Sequence, residues 1–320
     1  MPKPSHLAAL GVARESTRGT AAAPTMWIPW RTLTPKDDVM LIDDKGQRGA
    51  AVESFGIVQG QKGSTLDFGG DVFADSIGFP LVSLLPDVTV TGAAAPYVTT
   101  FSTLNSGDTQ PPGQTYTIFD PLGTWQYPGE QLSELGFKWN ADGLFEYSSK
   151  ATGWTYVPGT TPTVSNTAVK PVANWTILTK IAGTTMFVID GELTIKRAVT
   201  AIRGANGSQN PYAIWSGDVS VEGKLTLVME DASQKTIFQN STAQSLDVSF
   251  LAGSGATQTG VQLHCTTAVW SEGTQSYGKD YIELPVSFRT YGNTTDIGAS
   301  GGYSPIKVTL TNAMPSGTYK

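Results

Sequence analysis

Large apolar side chains fall at every second position in several stretches of this chain. Leu246-Asp-Val248-Ser-Phe250, Ile282-Glu-Leu284-Pro-Val286-Ser-Phe288 and Ile306-Lys-Val308-Thr-Leu310-Thr all show it, and Val219-Ser-Val221 leads into a similar run, Lys224 to Met229. A period of two places one face in a core and the other in solvent, as in antiparallel sheets. Pro285 interrupts one such strand, which predicts an edge or a bulge there. In the first half, Gln131–Trp139 and Leu144–Tyr147 flank Asn140-Ala-Asp-Gly143, the pattern of a hairpin with a longer loop. Asp37-Asp38 and Asp43-Asp44-Lys45-Gly46 read as turns.

Helix is scarce. One candidate runs from Asp75, as N-cap, to Leu85, with Ile77, Leu81, Leu84 and Leu85 on one apolar face and Pro80 limiting its first turns. A second covers Asp231 to Gln239. Each follows a strand-like run and precedes another, Tyr97–Leu104 in one case and Ser245–Leu251 in the other, so the chain carries a weak internal duplication. The predicted organisation is an arm over residues 1–30, a first β domain over 31–165 and a second over 166–320 with a C-terminal tail. The alternative is one domain with a large insertion in its middle, around 142–172.

Composition supports an all-β fold with minor helix. Of 320 residues only 15% are charged, while 35 Gly, 19 Pro, 8 Trp, 11 Tyr and 12 Phe supply turns and bulky anchors. Coiled coils and helical repeats need a different composition, and disorder is excluded by the plentiful aromatic and β-branched residues. The net charge of −6 is unevenly spread. From Gly63 to Phe137 there is no Lys, Arg or His, yet the stretch holds eight acids, among them Asp67, Asp71, Glu130 and Glu134. Such a segment cannot neutralise a phosphate.

Catalytic chemistry is looked for and not found. Cys265 is the single cysteine and His264 precedes it on a strand, so the two point to opposite faces. With His6 as the other histidine, a zinc site is improbable. The carboxylates stand in no glycosidase or metal-loop context. No cofactor, metal or enzymatic activity is expected. No signal peptide is visible, and no apolar run approaches the length of about 18 residues that spans a bilayer, so no membrane is expected as a partner.

Two stretches carry a family resemblance. Gly11-Val-Ala-Arg-Glu15-Ser16-Thr17-Arg18-Gly19-Thr20-Ala-Ala-Ala-Pro24 stands near the start, and Ser304-Pro305-Ile306-Lys307-Val308-Thr309-Leu310-Thr311-Asn312-Ala313 at the end. Both resemble the major tail tube proteins of long, non-contractile-tailed (siphovirus-type) bacteriophages. Gln110–Ile118, Tyr127–Leu135 and Gly217–Leu225 sit in order between them, at places where that family has similar segments. The middle, Asp142 to Val172, departs from the pattern.

The resemblance implies an antiparallel β-sandwich with short flanking helices, whose inner strands close with those of neighbouring copies into a barrel around a channel. A duplicated chain implies two tandem tube-like domains and three copies per ring; a single domain implies six. Rings stack into the phage tail tube, a virion structure made from subunits synthesised in the host bacterial cytoplasm. The implied partners are other copies of the chain and the tape-measure, tail-tip and tail-terminator proteins. Double-stranded genomic DNA passes through without specific binding. On this reading Asp67, Asp71, Glu130 and Glu134 are candidates for a negatively lined lumen. Glu15, Met26, Trp27 and Trp30 are candidates for an inter-ring arm. Competing classes are a β-sandwich adhesin or carbohydrate-binding module, which Trp154, Tyr156, Tyr212 and Trp215 would serve if clustered and exposed, and a glycan hydrolase.

Overall fold

A computed structural model describes residues 2–319. The first half contains β1 (Ala9–Arg14), β2 (Met26–Ile28), a long hairpin of β3 (Thr32–Asp44) and β4 (Gly56–Asp71), helix α1 (Gly78–Leu84), a hairpin of β5 (Asp87–Thr91) and β6 (Tyr97–Ser102), then β7 (Gln114–Asp120), β8 (Gly123–Asn140), β9 (Glu146–Gly153) and β10 (Val157–Pro158). The second half contains β11 (Leu178–Ile181), β12 (Thr184–Thr185), a long hairpin of β13 (Val188–Ile202) and β14 (Ala213–Val228), helix α2 (Ser233–Gln239), β15 (Gln244–Ala252), β16 (Thr259–Gly273), β17 (Glu283–Thr290) and β18 (Lys307–Asn312). The fold is all-β and antiparallel, as the alternation predicts.

Eight strands run side by side without a break: β3, β4, β9, the C-terminal part of β8, β13, β14, β17 and the C-terminal part of β16. The two halves meet at β8·β13, seven residue pairs from Asp190–Asn140 to Lys196–Glu134. Behind this sheet lie two outer ones. β2, β1, β7, the start of β8 and β10 form one; β12, β11, β15, the start of β16, β18, β6 and β5 form the other. β8 and β16 each serve both layers, turning the corner of a sandwich.

The pairings repeat. β1–β4, α1 and β7–β10 find the same neighbours as β11–β14, α2 and β15–β18; among the described residues only β5 and β6 have no counterpart strand. Three bulges recur as well. The register shift between Val39 and Leu41 matches that between Arg197 and Val199, Gln114/Tyr116 matches Gln244/Leu246, and Leu132/Glu134 matches Trp270/Glu272. Bulges pin register, so these coincidences align the halves residue by residue. Glu134 corresponds to Glu272, Asp67 to Lys224 and Asp38 to Lys196.

Leu66, Phe68, Leu132, Leu135, Phe137, Leu193, Ile195, Leu225, Val286 and Phe288 are buried on the inward side of the eight-stranded sheet. All seven residues of α1 are buried, and Pro80 sits in its first turn, where the amide hydrogen has no helical acceptor anyway. Asp75 does not cap α1. Its carboxylate accepts from the Thr167 hydroxyl and its carbonyl from Tyr319 Oη at 2.6 Å. Arg197 ties the halves together: its buried guanidinium donates to the carbonyls of Leu84 (3.2 Å), Thr109 (2.7 Å) and Gly217 (2.9 Å), and burial pulls its pKa down to about 10. The amides of Gln110 and Ser216 add a reciprocal pair across the same seam, both at 2.9 Å.

Three further expectations change. Asp37 and Asp38 lie within β3, and Asp43 and Asp44 end it; the hairpin tip is solvated on both sides, so no alternation marks it. Pro285 is not on an edge strand, because β17 has β14 and β16 beside it. It stands near the start of β17, beyond the last residue paired with β16. Residues 9–14 and 26–28, expected within an arm over residues 1–30, are strands of an outer sheet.

Candidate functional site

The eight-stranded sheet buries one face, and the other is open to solvent. Alternation puts Asp67, Glu146, Lys150, Glu134, Lys138, Glu192, Lys196, Glu222, Lys224 and Arg289 on the open face. Acids and bases alternate between neighbouring strands. Lys150 lies 3.5 Å from Glu134, Lys224 lies 3.5 Å from Glu192, and Lys196 contacts Glu222 directly. That last hydrogen bond raises the Lys196 pKa and lowers that of Glu222. At the first-half end, Arg31 reaches Asp71 at 3.0 Å and Glu146 at 2.6 Å. Shallow depressions open on this face, among them one bordered by Lys138, Asp190 and Lys224 and another by Glu134, Lys196 and Arg289.

Asp67 and Glu134 stand on the open face, Asp67 across from Lys150. Asp71 shares their side of β4; burial pushes its carboxyl up, against the pull of Arg31. Glu130 is a correction. It is fully buried at the corner where β8 leaves the outer sheet, accepts from Ser64 Oγ at 2.8 Å and cannot line any surface. Burial raises its pKa well above the ordinary carboxylate range, against the hydrogen bond from Ser64 and with the nearby Glu15 adding to the effect. The second correction concerns charge. The Lys-free stretch does not make a purely acidic surface, because Lys138 near the end of β8 and Lys150, Lys196 and Lys224 from later strands interleave with it.

The four arm candidates pack on their own chain. Glu15 is buried and accepts from Thr115 Oγ1 (2.7 Å) and the amides of Gly129 (2.6 Å) and Gly19 (2.6 Å). It thus fastens the 15–19 turn to the β8 corner. Gly129 has φ +66°, which favours glycine there. Trp27 is buried, and Met26 and Trp30 pack against the core. At the other terminus Tyr319 inserts between Phe79 and Phe101, which holds the C-terminal segment down as well.

The aromatic set for carbohydrate binding is not assembled. Trp154 lies over Gly19 and Gly129, and Tyr156 packs on Trp125 and Tyr127, whereas Tyr212, just before β14, and Trp215, on it, are exposed. His264 and Cys265 point to opposite faces: Cys265 is buried, and His264 meets Asp247 at 3.1 Å. Among the described residues no group of three or more His, Cys, Asp or Glu could hold a metal, and no helix is long and apolar enough to cross a membrane.

Residues 5–290 match the family model of the phage tail tube protein. The chain belongs to that family. A tail tube protein is a structural component of the bacteriophage virion and assembles with its own kind into a tube within the tail. No curated protein matches the chain. For a tube protein, an uninterrupted sheet with one open, charged face and two ends free to pair is the principal feature of the surface. The residues that sequence reasoning missed are the second-half members of this face, Glu192, Lys196, Glu222 and Lys224. A repeated Ser-Glu pair, Ser133-Glu134 and Ser271-Glu272, was the signal that aligns the halves.

Proposed function

We propose that the chain is the major tube protein of a long, non-contractile phage tail, and that each copy supplies two tandem tube-like domains. Three copies then close a ring, and rings stack into a conduit for double-stranded DNA. The observation that carries this is the eight-stranded sheet: two register-matched sets of four strands, joined inside one chain, with a free edge at either end. Closing a sheet on itself removes such edges, and the open face becomes the channel lining. Stacking is a contact that does not close on itself and so grows a filament.

The ion-paired lattice suits a surface past which DNA must slide. Each lysine that a phosphate could capture already has a carboxylate on the next strand. Capture would mean exchanging that partner, with little counterion release to drive it. Stacking contacts fall to the tip of the β3–β4 hairpin, where Met40, Leu41, Ile57 and Val58 are exposed. An exposed apolar group of this kind marks an interaction surface. The tape-measure protein fills the lumen before ejection, and tip and terminator proteins cap the two ends.

Negative-stain electron microscopy of the purified protein over a concentration series tests the reading. Stacked rings with a central channel are expected. A strictly monomeric globule at every concentration, even when mixed with tail-tip complex, would overturn it.

A further inference from the structure

The repeat turns the junction inside the chain into a template for the junction between chains. Among the described residues, β3 pairs only with β4, and residues 269–273 of β16 pair only with β17. These are the two free edges of the eight-stranded sheet. Their equivalents in the other half, β13 and the C-terminal part of β8, are paired with each other. The three coincident bulges convert each internal residue pair into an external one. Lys196–Glu134 becomes Asp38–Glu272, Ile195–Leu135 becomes Asp37–Gly273, and Thr194–Gly136 becomes Lys36–Thr274.

We infer that β3 of one copy adds antiparallel to β16 of the next, with Asp38 directly opposite Glu272 and Lys36 opposite Thr274. This rests on the ring reading above and specifies its partner and register. The occupant is a second copy of the same chain because the complementary edge, with its bulge at Ser271, lies at the far end of the same sheet.

The chemistry of this edge differs from that of the internal junction. Inside the chain, Lys196 faces Glu134. Between chains two carboxylates face each other, and like charges directly opposite are unfavourable. Lys36, already 2.7 Å from Asp38, lies diagonal to Glu272 and bridges both acids. Pro35 and the inward-side Asp37 complete an edge of the kind that resists indiscriminate strand addition. The free subunit therefore has an edge that pairs weakly until its partner is held in register. Replacing Asp38 by Lys would copy the internal pair and strengthen ring closure.

Cysteine cross-linking tests the register. The native Cys265 is buried, so added thiols act alone. Directly opposite positions have Cβ atoms about 4.5–5.5 Å apart and diagonal ones about 7–8 Å, and only the former approach disulfide geometry. In assembled protein under mild oxidation, D38C/E272C is expected to give a covalent ladder ending at a closed species, and K36C/E272C little. Rings that form normally but cross-link through K36C/E272C instead would overturn the register and leave the ring reading standing. Protein that stays monomeric with neither pair linked would overturn both. Hydrogen exchange on the unmodified chain gives a second test, free of any folding effect of the substitutions: residues 36–38 and 272–274 should gain backbone protection on assembly. Unchanged exchange there in fully formed rings would contradict the pairing.

Discussion

The two halves share a backbone plan down to the position of three bulges, but several of the side chains on it differ in charge. Where the first half has Asp67, the second has Lys224; where the first has Asp38, the second has Lys196. A strand pair keeps its register through pleat, bulge and buried face, none of which cares which charge stands on the open side. The open face is thus free to diverge. The ion pairs run within each half, Lys150 with Glu134 in the first and Lys196 with Glu222 and Lys224 with Glu192 in the second, and Lys196 stands opposite Glu134 across the seam. The seam between the halves shows the opposite behaviour. Phe137 facing Leu193, Gln110 with Ser216 and Arg197 with three carbonyls are specific to one side each.

Substitutions at the seam should have the largest effects on stability. Phe137→Ala removes a fully buried ring from the first half directly beside Leu193 of the second, and should cost about 3–5 kcal/mol. If the halves fold as one unit, chemical denaturation will still show a single transition, moved to lower denaturant. Two separated transitions would show that the halves are independent. Arg197→Met leaves the carbonyls of Leu84, Thr109 and Gly217 without their donor, and about 2–4 kcal/mol should be lost in the same measurement. The equivalent first-half residue, Val39, is exposed on the hairpin, so Val39→Met should change almost nothing.

The two halves also differ in their response to pH. The folded-state pKa of Glu130 is raised well above 4.5, so the folded chain holds a proton that the unfolded chain releases. Stability therefore falls as pH rises above about 4.5, by at most ~1.4 kcal/mol per pH unit, until the folded-state pKa is passed. Glu130→Gln should flatten that slope in a thermal-melt series and raise stability at neutral pH. The second half has Ala268 at this place and no such term.

His264 works the other way. Its hydrogen bond to Asp247 raises its pKa above 6.5, so its contribution is complete below pH 6.5 and is lost as pH rises through the folded-state value. The first-half equivalent, Gln126, does not titrate. His264→Gln should abolish a contribution of about 0.5–1 kcal/mol, seen as a Tm difference at pH 6 that vanishes at pH 9.

Much of the fold was legible because burial writes alternation into a strand. β15, β17, β18 and the β8–β9 hairpin stand in the sequence as predicted. The β3–β4 hairpin does not, since its tip has no buried face to mark. Parity explains the candidate site. Glu130 and Glu134 are four residues apart, and on a regular strand they would share a face. The bulge at Ser133 inserts one residue between them, so Glu134 faces solvent while Glu130 stays in the core with Leu132. A bulge has no strong sequence signature; only its recurrence before Glu272 betrays it. Glu15, Trp27 and Trp30 look like the anchors of an arm because polar and aromatic residues there have no visible partner in sequence. Their partners, Thr115, Gly129 and the core behind β1, lie about 100 residues away along the chain.

If one chain carries two tube domains, a ring needs three copies and its eight-stranded sheets join edge to edge. Native mass spectrometry of rings released from assembled tubes measures this directly. A ring mass of three chains is expected. A ring of six chains would contradict it, because the internal β8·β13 junction would then have no place in a barrel of the same plan.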